Sequence, residues 1–467
     1  MKQLFPILLA LLIFVGCKSE IKKDKKPKDY LVLSGEVNNF KKRTIELTGF
    51  NFEKKINFNK SKKSFLDTLT HITPGHYTLR IGKRPVGVYL TSIDDLKLIV
   101  DAKKRREDPI FSGETAKINE YLTARYKKFG LILGNADKLF SLNEDAFLSK
   151  MDKYKSQLEN LAESFNLPSY YLELEKRNIF YEFARNINNY QAYHRILYGD
   201  SEFEVSSNYP KDILNEVDFN NSTDYINSFS YRTLIKEHLN NLANKKKRED
   251  GDYNLTYIEI ANSIINDTLI KNDLLFKAVK ENIARSSNLE EYYKKYSAFS
   301  TNKSNKEIIT GLYDRLKYTI KGKPSPKFSN YENYNGGNTS LDDLIGKEKY
   351  ILIDIWATWC GFCKEEIPYL KELEKKYHNK NIEFVSISVD DAPAKERWKQ
   401  IVKEKRMTGV QLFAGKNHFE LDFTKDYLIR GLPRFILIDP DGNIVTANAP
   451  RPSNGNKLTT LFNELDI

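Results

Sequence analysis

The apolar run Tyr350-Ile351-Leu352-Ile353-Asp354-Ile355-Trp356 leads, after three residues, into Cys360-Gly361-Phe362-Cys363. A short continuous apolar run bounded by turn residues reads as a buried strand. A strand that empties into a Cys-x-x-Cys at the start of a helix restricts the chain, at that point, to an α/β arrangement carrying redox chemistry. Only three cysteines occur in 467 residues, and two of them are here.

The spacing itself dictates the chemistry. Cysteines at i and i+3 in a first helical turn bring their sulfurs close enough for a reducible disulfide. The partial positive charge and free N–H groups of a helix N-terminus favour the thiolate of the first cysteine. Cys360 is therefore the expected nucleophile and Cys363 the resolving thiol. Exchange also needs an acceptor for the second thiol's proton. Asp354, an acid inside an apolar strand, fits a carboxyl with a raised pKa near Cys363. Glu366, one helical turn beyond Cys363, is the second candidate; its plain reading is a surface glutamate.

Beyond this segment, strands are expected at 382–389, 434–438 and 444–447, with helices at 360–378, 394–404 and 456–465. Asp441-Gly442 marks a hairpin between the last two strands. The order argues an α/β fold with a mixed sheet. The stretch Trp356-Ala357-Thr358-Trp359-Cys360-Gly361-Phe362-Cys363-Lys364-Glu365-Glu366-Ile367-Pro368 resembles the active-site segment of TlpA/ResA-type thiol–disulfide oxidoreductases of the thioredoxin superfamily. Gly322-Lys323-Pro324-Ser325-Pro326 and Leu341-Asp342-Asp343-Leu344 are similar to the approach to that segment. Gly431-Leu432-Pro433 is similar to the family's cis-proline loop. The resemblance implies that Pro433 faces the cysteines, that Leu432 offers backbone hydrogen bonds to a substrate, and that Trp359 lies in the substrate site. It implies no cofactor beyond the Cys360–Cys363 disulfide. Phe362 stands where thioredoxins usually carry proline, which leaves the direction of electron flow open.

The N-terminus points to the compartment. Met1-Lys2-Gln3, the apolar residues 4–15 and Gly16-Cys17 describe an export signal, and the run is too short to span a bilayer. Phe14-Val15-Gly16-Cys17 resembles a bacterial lipoprotein signal, with Phe14 in place of the usual Leu; that family acylates the cysteine. An ordinary cleaved signal and a retained anchor are the other readings. Residues 18–28 hold six lysines, two acids and a proline, a composition suited to a solvated tether. The expected location is the cell envelope, lipid-anchored through Cys17 at the outer membrane and facing the periplasm, where cysteine oxidation persists.

A chain of this length carries two to three domains. The expected segments are a signal at 1–17, a basic tether at 18–29, a β-rich domain at 30–112, an α-helical domain at 113–320 and a thioredoxin-like domain at 321–467. Short alternating runs, as in 31–37, 44–47, 75–81 and 96–100, argue a small β-sandwich. This segment resembles the β-rich domain of unassigned function that precedes thioredoxin-like modules in envelope lipoproteins. From 116 the period turns helical: Ile118, Tyr121, Leu122 and Tyr126 fall on one face. Further helices are expected at 170–197, 225–243, 257–265, 274–283 and 306–318. The 28 Tyr and 27 Phe are read mainly as core.

Competing functions fare worse. The net charge of +11 is partly the tether and otherwise interspersed with 63 acids, which with an export signal argues against nucleic-acid binding. Zinc would need two more ligands, and only His378 and His418 lie in this part of the chain. A purely structural disulfide would close too short a loop to stabilise much. A peroxide-reducing enzyme would place its cysteine in a different motif, and a docking scaffold has no need of paired thiols. The expected function is reduction or isomerisation of disulfides in envelope proteins. A reductant of this kind takes electrons from a membrane-embedded thiol reductase, as the resemblance implies.

Overall fold

The computed structural model describes residues 29–246 and 251–467. The expected signal, Cys17 and the tether as far as Lys28 lie outside the described residues. By compactness the chain divides into two units: the residues up to Leu214 with Ile226–Ser228, and Asn215–Tyr225 with Phe229–Ile467.

The first unit opens with β1 (Tyr30–Asn38), β2 (Thr44–Gly49), β3 (Phe52–Asn59), β4 (Ser64–Thr70), β5 (Gly75–Ile81), β6 (Arg84–Leu90), β7 (Leu96–Asp101) and β8 (Ile110–Gly113). They hydrogen-bond in the order β6-β5-β2-β3-β4-β1-β7-β8. The expected sandwich takes the form of one bent sheet. β3 pairs with β2 through Phe52–Asn57 and with β4 only through Phe58 and Asn59, so it carries the sheet from one half to the other. Every second residue (Leu31 and Leu33, Ile45 and Leu47, Leu79 and Ile81, Leu96 and Leu98) enters one shared core, as the period of two requires.

The helices that follow are α1 (Ala116–Leu133), α2 (Ala136–Phe140), α3 (Glu144–Ser164) and α4 (Ser169–Tyr198). Ile118 and Tyr121 of α1, Ala162 of α3 and Tyr171 and Leu174 of α4 pack with Tyr89 of β6. Tyr126, expected on the same apolar face, is exposed instead: its position has drifted off the buried stripe of α1. At the centre, Arg125 donates to Glu175 and pairs with Glu182 at 3.0 Å, and the Tyr121 hydroxyl donates to Glu175 at 2.9 Å.

Next come α5 (Ser222–Asn227), α6 (Phe229–Lys245), α7 (Tyr253–Ile264), α8 (Thr268–Asn282), α9 (Leu289–Phe299) and α10 (Lys303–Leu316). The single helix expected over 225–243 is two, α5 ending just before Ser228 and α6 starting after it. The division between the units passes through α5. Asn and Asp side chains cap most of these helices, as at Asp267 for α8 and Asn302 for α10.

The remaining elements are β9 (Tyr331–Asn333), β10 (Asn338–Thr339), β11 (Tyr350–Trp356), α11 (Gly361–Lys376), β12 (Ile382–Ser388), α12 (Lys395–Lys405), β13 (Val410–Phe413), α13 (Asp422–Asp426), β14 (Arg434–Ile438), β15 (Ile444–Thr446) and α14 (Lys457–Glu464). The sheet order is β10-β9-β13-β12-β11-β14-β15, with β11, β12 and β13 parallel and β14 antiparallel to β11. Odd residues of β11 (Ile351, Ile353, Ile355) pack with Trp398 and Val402 of α12. Leu352 turns to the other side, against Leu370 and Leu373 of α11 and Phe462 of α14. Both faces are thus covered, which is why β11 reads as apolar throughout. The hairpin between β14 and β15 turns at Gly442, whose φ of +88° favours glycine.

Candidate active site

The C-terminal ends of parallel strands are where an α/β sheet offers a crevice. β11 ends at Trp356, and the next residues form a tight connection into α11, with the Cys360 N–H donating to the Ala357 carbonyl at 3.0 Å. This connection is held from beside it. The Thr358 N–H and hydroxyl both donate to the Asp390 carboxylate at 2.8 Å, and the Ser388 hydroxyl donates to it at 2.7 Å. Asp390 follows β12 and is buried. The carboxylate thus ties the ends of two adjacent strands together beneath the cysteine loop. Sequence reasoning missed it; the signal available was an acid directly after the apolar 382–389 run.

Cys360 and Cys363 form a disulfide, with Cα atoms 5.3 Å apart. Cys360 is the N-cap of α11, and its Sγ accepts the Cys363 N–H at 3.1 Å. The sulfur thus occupies the place where a helix end stabilises negative charge. Both cysteines are nearly covered (6% and 3% exposed), whereas Trp359 and Phe362 beside them are 58% and 66% exposed. The Trp359 ring lies 6.2 Å from that of His418, whose burial holds its imidazole below the ordinary pKa.

Asp354 is buried, and its Oδ1 has no hydrogen-bond partner. It shares the face of Leu352 and so looks toward α11. Burial first, then the charges of Glu366 and Glu374, raise its carboxyl to about 8. Glu374, further along α11, is itself raised to about 7 by burial and accepts from the Thr408 hydroxyl. Glu366 is not the surface glutamate of the plain reading. It is buried, and it accepts the Ser453 N–H at 3.0 Å and the Ser453 hydroxyl at 2.6 Å. Ser453 comes from the segment after β15, and nothing local in the sequence marked it.

The Leu432–Pro433 peptide is cis. Ile355 of β11 pairs with Arg434 of β14, so the register carried one residue further sets Pro433 beside Trp356, where the cysteine loop leaves. Leu432 packs against the cluster that includes both cysteines. Arg434 is buried, and its Nη1 donates to the Ala284 and Ala447 carbonyls at 2.9 and 3.2 Å. Burial, then the neighbouring Arg285, lowers it to about 10.

The Redoxin family profile matches residues 320–464. Over 139 residues the chain is 30% identical to the thiol–disulfide oxidoreductase ResA of Bacillus cereus, covering 30% of this chain and 75% of that protein. The chain belongs to the ResA-type thiol–disulfide oxidoreductases. ResA of Oceanobacillus iheyensis is 29% identical over 141 residues, which are 29% of this chain and 69% of that protein. A solved thiol–disulfide oxidoreductase from Bacteroides fragilis aligns at 30% identity with a TM-score of 0.27, covering 31% of this chain and 99% of the other. By the Redoxin match and the ResA relatives, the C-terminal segment is a thioredoxin-like domain and the protein an oxidoreductase of ResA type. The Redoxin match leaves the β-rich sheet and all of the helices α1 to α10 outside it.

Proposed function

We propose that this chain reduces or isomerises disulfides of exported proteins, working in the cell envelope on a lipid anchor at Cys17. The observation that carries the reading is the Cys360–Cys363 disulfide at the N-terminus of α11, above a buried carboxyl. ResA relatives named for thiol–disulfide exchange support it.

In the reduced protein, the Cys360 thiolate attacks one sulfur of a client disulfide. A Cys360–client S–S bond forms, the client's own S–S bond breaks, and its second sulfur leaves as a thiolate. Cys363 gives its proton to Asp354 in its ionised form and attacks the Cys360 sulfur, releasing the client's first thiolate. The client gains two electrons and the cysteine pair loses two, to be restored by a thiol donor such as a membrane-embedded reductase. A proton acceptor near 8 is matched to a thiol of ordinary pKa near 8.5, so the transfer runs in both directions. Glu366, fixed by Ser453, serves as the neighbouring anion that keeps the proton on Asp354. Trp359, Leu432 and cis-Pro433 border the client's path.

The test is Cys363→Ser, which strands the mixed disulfide on Cys360. Envelope extracts should yield covalent client adducts that thiol reagents release; an unreactive Cys360 with no adduct would sink the reading. A reduction potential near −270 mV would mark a reductant, and one near −120 mV an oxidant. Cys17→Ser should move the protein from the membrane fraction to the soluble one.

A further inference from the structure

The loop before the cis-proline is ringed by guanidinium groups that no carboxylate answers. Arg285 ends the short turn Ile283–Arg285 that follows α8. A Cβ placed on Gly431 would lie 2.9 Å from Arg285 Nη2, so the guanidinium lies close against the Gly431 backbone. The backbone of Arg285 is fixed in turn by Asn448, whose Nδ2 donates to its carbonyl at 3.2 Å. Arg430 donates Nη1 to the Lys280 carbonyl at 2.7 Å, and Arg434 reaches the Ala284 carbonyl. Among the described residues, the hydrogen-bond partners of Arg430 and Arg434 are neutral backbone oxygens. Among the described residues no ion pair joins Arg285, Arg430 or Arg434 to an acid.

Three like charges gathered around five residues repel one another, and the buried Arg434 feels Arg285 directly. Carbonyl bonds fix these groups but do not neutralise them. Arg285 and Arg430 are exposed, while Arg434 is buried. Their rim adjoins Leu432 and Pro433, beside which a polypeptide joined to Cys360 has to pass. An anion arriving with that polypeptide would relieve the repulsion, and complementary charge of this kind selects partners.

We infer that Arg285 and Arg430 form an acid-recognising rim of the disulfide site, selecting client polypeptides that carry aspartate or glutamate close to the reacting cysteine. The inference rests on the oxidoreductase reading and deepens it. It also makes the helical region part of the client site, since Arg285 belongs to that region and not to the thioredoxin-like segment.

The experiment uses the full chain in its reduced form and two short peptides, each disulfide-linked to nitrothiobenzoate. The peptides differ only in three glutamates or three glutamines flanking the cysteine. Cys360 displaces nitrothiobenzoate to form the peptide mixed disulfide, and Cys363 then displaces the peptide thiol, leaving the Cys360–Cys363 disulfide. At low ionic strength the unsubstituted protein should favour the acidic peptide about tenfold in the single-turnover second-order rate constant of nitrothiobenzoate release. Arg285→Gln with Arg430→Gln should bring the ratio near one, as should 0.5 M salt (about a 4 Å screening length), while Arg285→Lys should retain most of it. No preference in the unsubstituted protein, a preference surviving the double substitution, or an equal loss on both peptides would overturn the rim. Failure of the unsubstituted protein to react with either peptide would overturn the oxidoreductase reading itself.

Discussion

Asp354 is the residue on which the proposed chemistry turns, and its titration has a measurable signature. The folded state holds its proton up to about pH 8, whereas an unfolded aspartate loses it near 3.9. Between those values the native state binds more protons, so stability falls as pH rises through this window and levels off above the folded pKa. Asp354→Asn should therefore match the parent near pH 4 and exceed it at pH 9 by on the order of a few kcal/mol in urea unfolding. Glu374, raised to about 7, acts in the same direction and should leave a residual slope in the variant. The same substitution should slow the resolving step by roughly 10²-fold in stopped-flow measurements. Glu366→Gln removes a charge that helps raise Asp354, so the pH profile of that step should move to lower pH. Both acids were legible in the sequence, Asp354 because a carboxyl in an apolar strand demands explanation, and Glu366 from its spacing to Cys363. Ser453 was not, because the contact joins positions 87 residues apart and depends on where the chain returns after β15.

At the level of elements, periodicity located β11, α11, β12, α12 and β14 closely, with β14 found at residues 434–438 as expected, while the short α13 was not foreseen. Buried parallel strands declare themselves as apolar runs, and α11 follows from its cysteines and its apolar stripe. β13 escaped because Val410–Phe413 is four residues long and includes the buried Gln411. The break between α5 and α6 escaped too, since no proline or glycine marks it. The join between β11 and α11 depends on a device that no period reveals: one carboxylate, Asp390, accepting three hydrogen bonds. Asp390→Ala should strand the buried Thr358 N–H and loosen the cysteine loop. The expected cost is about 2–3 kcal/mol in urea unfolding, with faster alkylation of reduced Cys363. Asp390→Asn, which retains two acceptor sites, should lose less.

Across the whole molecule, the Redoxin match covers the last third of the chain, yet that third does not stand apart from the helices before it. Within the second unit, Arg430 of the cis-proline loop, Arg434 of β14 and Asn448 after β15 are bonded to Lys280 of α8 and to Ala284 and Arg285 just beyond it. The central bond is buried: Arg434 has its guanidinium committed to two carbonyls, and burial makes such a commitment costly to undo. Arg434→Met keeps much of the volume but leaves the Ala284 and Ala447 carbonyls without their donor. The expected loss is about 1–3 kcal/mol. Hydrogen exchange tells whether the loss is local or shared. If the helices and the thioredoxin-like sheet unfold as one cooperative body, protection should drop by the same free energy in α8 and in β14, more than 150 residues apart in sequence. A drop confined to β14, with α8 unchanged, would show that the two parts open independently and that the arginine contacts do not couple them.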